Sequence, residues 1–414
     1  MKFIADFHIH SPFSRAVSKE MTIKKIAESA RNKGIKLVGT SDFTHPEWFK
    51  ILKEDLTEKP DGVFTPKEST ADVYFILTSE VNNMSVKDGR LRRIHNIIFT
   101  PSFQDAAAIN EFLAKYGSLS SDGRPTLSLS SRDMLEGILT VSPDSFIVPS
   151  HIWTPWFSLF GSASGYDAIE ECFEDLTDEV FALETGLSSD PKMNWRLSAL
   201  DRFSLISCSD AHSPPKLGRE ANVFDTEISF FAIKDTLKKK DKARFLYTIE
   251  FFPEEGKYHY DGHRSCQVSL SPSEAMLNND LCPVCGKRLT IGVLHRVELL
   301  ADREDGFIPQ NAIPYKNLIP LDEIIADSMK VAKESIAVKN KYREMIKTFG
   351  PEFDILINLP IEEIKKRSDF EKIAEGIEKM RAGKVNLIPG YDGVFGKIRL
   401  FEEEPEVKEQ MTLF

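Results

Sequence analysis

The sequence predicts an α/β fold: a largely parallel sheet closed by helices, as either a barrel or a doubly wound layer. Two observations predict it. Residues 1 to about 250 alternate short apolar runs with helical stretches, the order expected of βα units. The runs are also nearly continuous in Val, Ile, Leu and Phe, the pattern of strands covered on both faces.

Taken in order, the strand-like runs are "KFIADFHIH", "IKLVGTSDF", "VYFILTSEV", "RRIHNIIFT", "SFIVPSHIW", "EVFALETGL" and "FSLISCSDAH". Helical stretches separate several of them: 22–34, with Gly34 as its stop; 130–139; and 191–202, with Pro191 in the first turn. Residues 251–300 differ in kind, being rich in Cys, His and Gly and built of small turns from 256 to 296. Residues 301–400 read as mainly helical, with apolar spacings of three and four over 320–349 and a helix pair around 361–383. A loop with three glycines and one proline follows at 385–400, then an acidic tail at 401–414.

At 414 residues the chain suggests two or three domains. Hydrophobic residues at 41% beside 28% charged describe an ordinary globular protein, with no run near the roughly 20 apolar residues of a membrane span. The start has no signal-peptide character, so a cytoplasmic protein with no membrane partner is expected. A formal net charge of −11 argues against bulk nucleic-acid affinity, although cations neutralise part of any acidic metal site. The basic runs at 90–93 and 237–244 read as solvated faces. Five cysteines in a chain this long make no disulfide framework, and Cys172 and Cys208 read as small core residues.

The chemistry is carried by histidines. Six of the nine, at 8, 10, 45, 95, 151 and 212, stand at or just past the ends of strand-like runs. Acids appear in matching places: Asp42, Glu80, Glu184 and Asp210. Residues two apart on an extended chain share a face, so His8 with His10, and Asp210 with His212, point together. Mixed oxygen and imidazole donors suit Zn, Mn or Fe, and a carboxylate such as Glu80 or Asp210 is able to bridge two cations. Two cations about 3.5–4 Å apart suit phosphoester hydrolysis, by lowering the pKa of a shared water and stabilising charge on the attacking and leaving oxygens. Neither a G-x-S-x-G nor a P-loop motif is present.

"DFHIHS", "LTSEV", the histidine of "RRIHNI", "PSHIW" and "SCSDAH" resemble the successive motifs of the polymerase-and-histidinol-phosphatase (PHP) superfamily. The resemblance implies a distorted (β/α)7 barrel with metal ligands at His8, His10, Glu80, His95, His151, Asp210 and His212, of which Asp210, Glu80 and His151 would carry the reaction. The chain departs where the superfamily usually reads T-D-H: "SDF" places Phe43 at the histidine, leaving Asp42 and the nearby His45 as further candidate ligands. Arg15 also stands where some members place a ligand, so two divalent cations (Zn, Mn or Mg) are expected rather than three.

The segment 263–289 has H-x-x-C, fifteen intervening residues and then C-P-x-C-G, a structural-zinc spacing. Its ligands are expected at His263, Cys266, Cys282 and Cys285, with His259 an alternative to His263 and Asp261 a poorer one.

Barrel, zinc module and helical region together, with "SDFTHPEW", "LETGLSSDPKMNWR", "SDAHSPPKLGRE", "CPVCGKRLTIGVLHRVELLADR" and "IPGYDGVFG", resemble the endonuclease Q family over nearly the whole chain. The resemblance implies nicking of DNA on the 5′ side of a deaminated base (uracil, hypoxanthine or xanthine), leaving 3′-hydroxyl and 5′-phosphate ends. Reading such a base takes it out of the stack. Donors for its carbonyl edge are expected from Ser188 and Ser189 in "TGLSSD" and from Gly390 in "PGYDGVFG", with Tyr391 available for stacking. Arg219 is a candidate phosphate contact and Arg196 a weaker one, and the helical region is expected to clamp the duplex. The terminal "QMTLF", with Gln410 followed by Leu413 and Phe414, resembles the start of a sliding-clamp peptide. Two rivals are a PHP phosphatase acting on a small phosphomonoester such as histidinol phosphate, and a non-catalytic nucleic-acid-binding scaffold.

Overall fold

The computed structural model describes residues 1–68 and 72–401; residues 410–414 lie outside that range. The chain forms two units. Among the described residues, the first comprises 1–318 and 389–396, the second 319–388 and 397–401. The region read as one helical segment, 301–400, is therefore shared between both.

The first unit is α/β, built on an eleven-stranded sheet that is mixed rather than parallel. Seven strands position the site: β1 (Lys2–Asp6), β2 (Leu37–Gly39), β3 (Tyr74–Lys87), β4 (Arg90–Thr100), β5 (Phe146–Pro149), β6 (Ala182–Glu184) and β7 (Ser204–Ile206). β1, β2 and β3 pair in parallel. β3 and β4 form a long antiparallel hairpin, and β4 pairs antiparallel with β5. The reversal is local in origin: Asp88 and Gly89 both take positive φ (52° and 71°), the tight turn that D-G favours, and a two-residue turn joins only antiparallel strands. β6 and β7 are parallel neighbours. The chain after β5 bonds to β6 through the Ile152 N–H and the Glu184 carbonyl (3.1 Å), and the chain after β7 reaches the end of β1 through a parallel bridge between Ile9 and Ala211. The seven strands thus follow one another in a ring.

Phe7, Phe99 and Phe146 fill the ring's interior, Phe99 stacked on Phe146 at 4.5 Å and edge-on to Phe7 at 5.6 Å. Cys208 belongs to the same core. The helix α1 (Ile23–Lys33) starts on a Thr22 cap and stops at Gly34, whose φ of 86° suits glycine. The helix expected over 191–202 breaks after one turn. Asp302 takes the Ser198 N–H at 2.8 Å, so that donor no longer reaches back along a helix.

The second unit is mainly helical. The stretch 320–349 divides into Leu321–Met329 and Ile336–Phe349, because Lys330 adopts a left-handed conformation (φ 55°). Among the described residues no helix is long and apolar enough to cross a membrane.

Candidate metal centre

Beyond β1 the extended chain carries His8 and His10 to the same side, their rings 5.3 Å apart, while Ile9 between them is buried and bridged to Ala211. Six side chains then gather in two groups, His8 with His10 and Asp210, and Glu80 with His95 and His151. Glu80 joins them. Its Oε2 lies 3.5 Å from His8 Nε2 and 3.4 Å from His10 Nε2, while Oε1 lies 2.9 Å from His95 Nδ1 and 3.0 Å from His151 Nε2. Asp210 Oδ1 is 3.0 Å from His10 Nε2.

The remaining imidazole nitrogens are held from behind. Glu184 accepts from His8 Nδ1 (2.9 Å) and from the His151 backbone N–H (2.7 Å). Asp42 lies 3.4 Å from His10 Nδ1 and accepts from Ser11 N–H, Ser14 Oγ and Ser41 Oγ. His151 Nδ1 meets Thr154 Oγ1 at 3.1 Å. Such partners fix the tautomer and aim each Nε2 lone pair inward. A buried acid also anchors the loop that bears Asp210: Asp6 accepts from the N–H groups of Ser209 and Gly218.

Burial opposes charge here, but opposite charges outweigh it. His10, beside Asp210 and Asp42, is pushed up to about 9, and Glu184 and Glu80 raise His8 well above the ordinary range. Glu80 and Asp210 are held well below the usual carboxylate range by the surrounding imidazoles, with Arg124 adding to the effect on Glu80. His95, where burial prevails, falls to about 4. His8 Nε2, His10 Nε2 and Asp210 Oδ1 are buried without hydrogen-bond partners. Converging orphaned donors of this kind suit a divalent cation, which would displace the protons that the acids otherwise hold on the imidazoles.

The backbone is specialised too. Asp42, His151 and Asp210 take positive φ (45°, 30° and 47°), a conformation that persists only where its surroundings impose it. Gly186 (φ 63°) lies against His151, and a Cβ there would stand 2.4 Å from that of the histidine. Gly186→Ala is therefore expected to displace His151 and to lower divalent-cation affinity about tenfold or more, with a stability loss of about 1–3 kcal/mol. Mn²⁺ titration and thermal melting measure the two effects.

Three expected ligands fall outside the two groups. Asp42 orients His10 instead of joining them, since Ser11, Ser14 and Ser41 already occupy its oxygens. His45 is stacked on Phe13 at 4.5 Å, and Phe43 is fully buried. His212 packs against the His10 ring at 4.7 Å and donates from Nδ1 to the Asp210 carbonyl (2.8 Å). Arg15 is 93% exposed. Sequence reading missed Arg124, whose Nη1 lies 3.1 Å from Glu80 Oε2. Its loop is fixed by the Asn82 N–H bond to the Pro125 carbonyl, and by Gly123, which packs so closely on Asp42 that no Cβ fits.

The expected substrate residues are largely committed elsewhere. Ser189 is buried, its hydroxyl donating to the Thr185 carbonyl and accepting from Asn194. Ser188, its neighbour in the same loop, is half-buried. The Gly390 N–H bonds to the Glu254 carbonyl, and the Tyr391 ring packs against Gly262. Arg219 braces the Ser209 carbonyl (2.9 Å), and Arg196 bonds to the Arg303 carbonyl and Glu298.

His263, Cys266, Cys282 and Cys285 form a separate third group. The Cys282 N–H bonds to the Lys287 carbonyl and the Gly286 N–H to the Cys282 carbonyl, closing a tight knuckle. Cys282, whose burial favours the neutral thiol, is drawn down to about 7 by the backbone N–H groups of Cys285 and Val284. Neither His259, stacked on Tyr260, nor Asp261, which binds His295 Nδ1 and the Gly292 N–H, joins the group.

Comparison with solved structures follows the whole chain. A lesion-specific endonuclease from Pyrococcus furiosus, PfuEndoQ, superposes with a TM-score of 0.86 at 35% identity, over 97% of this chain and 96% of its own. The chain belongs to the endonuclease Q family. An endonuclease Q complex with a 27-mer duplex carrying an abasic lesion at the active site matches with a TM-score of 0.85 at 35% identity, covering 97% of this chain and 98% of that one. The MJ0043 C-terminal domain model matches residues 320–384. The MJ0043 protein of Methanocaldococcus jannaschii is 35% identical over 268 residues, or 63% of this chain. That alignment spans only 33% of the longer M. jannaschii protein.

Proposed function

We propose that this endonuclease Q family member is a metal-dependent DNA repair endonuclease that nicks the phosphodiester 5′ to a deaminated base. One observation carries the reading: a single carboxylate, Glu80, presents one oxygen to each of two donor groups, as a bridge between paired cations requires. The endonuclease Q relative bound to a lesion-bearing duplex supports DNA as the substrate. The ring of seven strands supports a distorted (β/α)7 barrel, its distortion being the β3–β4 hairpin.

His8, His10 and Asp210 would hold one cation, His95 and His151 the other, with Glu80 shared. Cations bound there activate water and neutralise phosphate charge. The buried position of Phe43 and the stacking of His45 support two cations rather than three. Asp42 and Glu184 keep the imidazoles turned inward. His263, Cys266, Cys282 and Cys285 would hold a structural zinc, since a closed four-ligand set has no position for substrate.

The test offers duplexes with one deoxyuridine or deoxyinosine, and a generic phosphomonoester, to protein with Mn²⁺, Mg²⁺ or Zn²⁺. Nicking of the lesion strand alone, abolished by chelation, is expected; phosphate release without nicking would overturn the proposal. Arg124→Ala should move two quantities in opposite directions. It removes a positive charge competing for Glu80, so Mn²⁺ binding is expected to tighten about tenfold. It also removes a charge that would stabilise the transition state, so nicking is expected to slow about 100-fold. Calorimetric titration reads the first effect, and weaker Mn²⁺ binding would count against this role.

A further inference from the structure

A series of aromatic side chains leads outward from the candidate metal centre, beginning at Phe157. Phe157 stacks on His95 at 5.0 Å, with its backbone at a φ of 63° that a bulky residue adopts only when held there. The bonds that hold it are present. The Phe157 carbonyl accepts from the His95 N–H (2.9 Å), and Ser164 Oγ accepts the Phe157 N–H (3.2 Å). The neighbouring Trp156 is fixed through its carbonyl, which accepts from Thr154 Oγ1 (3.0 Å), the hydroxyl that also meets His151. Trp156 nevertheless leaves 43% of its surface exposed and meets Tyr258 edge-on at 5.2 Å. Phe395 is 70% exposed. Cations alternate with the rings: Arg93 lies 5.7 Å from Phe157, and Lys257 lies 5.7 Å from both Tyr258 and Phe395.

We propose that Trp156, Tyr258 and Phe395, interleaved with Lys257 and Arg93, form a stacking strip for unpaired bases of the DNA strand whose phosphodiester lies at the metal centre. The proposal rests on the endonuclease reading and extends it. Exposed rings give unstacked bases flat apolar partners without regard to sequence, and cations between them serve the phosphates. A protein partner or a lipid surface has no need of aromatic residues alternating with cations at the edge of a phosphoester site. In the 389–396 loop the more exposed ring is that of Phe395, while Tyr391 is half-buried against Gly262.

The chain supplies its own reporter. Of its four tryptophans, Trp48, Trp153 and Trp195 are buried (1%, 0% and 8% exposed), so quenching of the exposed fluorescence by DNA reads Trp156. The probes are a short duplex with a single deoxyuridine and the same duplex without it. Binding is followed by fluorescence anisotropy, with Ca²⁺ in place of the reactive cation and strand integrity checked on a gel. The lesion duplex is expected to quench the wild-type signal. Trp156→Phe should bind within about threefold but show no quenching, and Trp156→Ala should bind about tenfold more weakly with an unchanged melting temperature. Wild type that nicks the lesion strand with Mn²⁺, while Trp156→Ala binds like wild type, overturns the strip and leaves the endonuclease reading standing. Equal quenching by the undamaged duplex overturns the assignment to unpaired bases. Wild type that neither nicks nor binds overturns both proposals.

Discussion

Glu80→Gln is expected to cut nicking by about 1,000-fold or more and to reduce bound Mn²⁺ from two ions to at most one. The substitution keeps the side chain's size but exchanges an anion with two acceptor oxygens for a neutral amide with one. At present Oε1 and Oε2 face different imidazole pairs. The amide is able to serve only one of them, and its NH₂ turns donors toward whichever pair it does not serve. Losing the shared anion removes several kcal/mol of charge stabilisation, and about 4 kcal/mol corresponds to the stated factor. Calorimetric titration of metal-free protein gives the stoichiometry and a lesion-duplex assay gives the rate. Two Mn²⁺ ions bound with wild-type affinity would show that Glu80 does not bridge.

Cys282→Ser should have the largest effect on folding. The core beneath the Cys/His group is small: Ala275, Cys282 and Leu289 are its buried members, with Cys266, Val268 and Leu270 packed partly against them. So little apolar surface stabilises a segment of this size only weakly, and a bound metal would supply the difference. Loss of one zinc equivalent is expected, together with rapid proteolytic cleavage within 261–290, while Mn²⁺ affinity at the Glu80 site changes little. Limited proteolysis with mass spectrometry and metal analysis of the purified variant test this. A variant that resists protease like wild type would mean that side-chain packing alone holds the segment.

The clustering of His8 with His10 was legible because its signal is local. His8 and His10, two apart past a strand, face one way wherever the chain stays extended, and the Ile9–Ala211 bridge keeps it extended. Arg124 was hidden because it sits among turn residues in "SDGRPT", and only the long-range contacts of Asn82 and Gly123 bring it to Glu80. Asp42 and Glu184 were visible as acids, but whether an acid ligates a cation or steadies a histidine depends on hydrogen bonds that spacing does not encode. The β3–β4 hairpin went unread: its D-G turn is a two-residue signal, and the apolar strands on either side pass for parallel ones. Tyr391 and Phe395 share one loop, and only folding decides which of them is the more exposed.

The return of residues 389–396 to the first unit governs how this enzyme is to be shortened. Asp392 accepts from the Arg264 N–H and from Thr290 Oγ1, so the turn following the helices clasps the Cys/His segment. Cutting the gene after codon 318 would remove that clasp along with the helices, and any resulting loss of activity would be blamed on the wrong part. A clean deletion instead excises 319–388 with a linker in its place and keeps the turn.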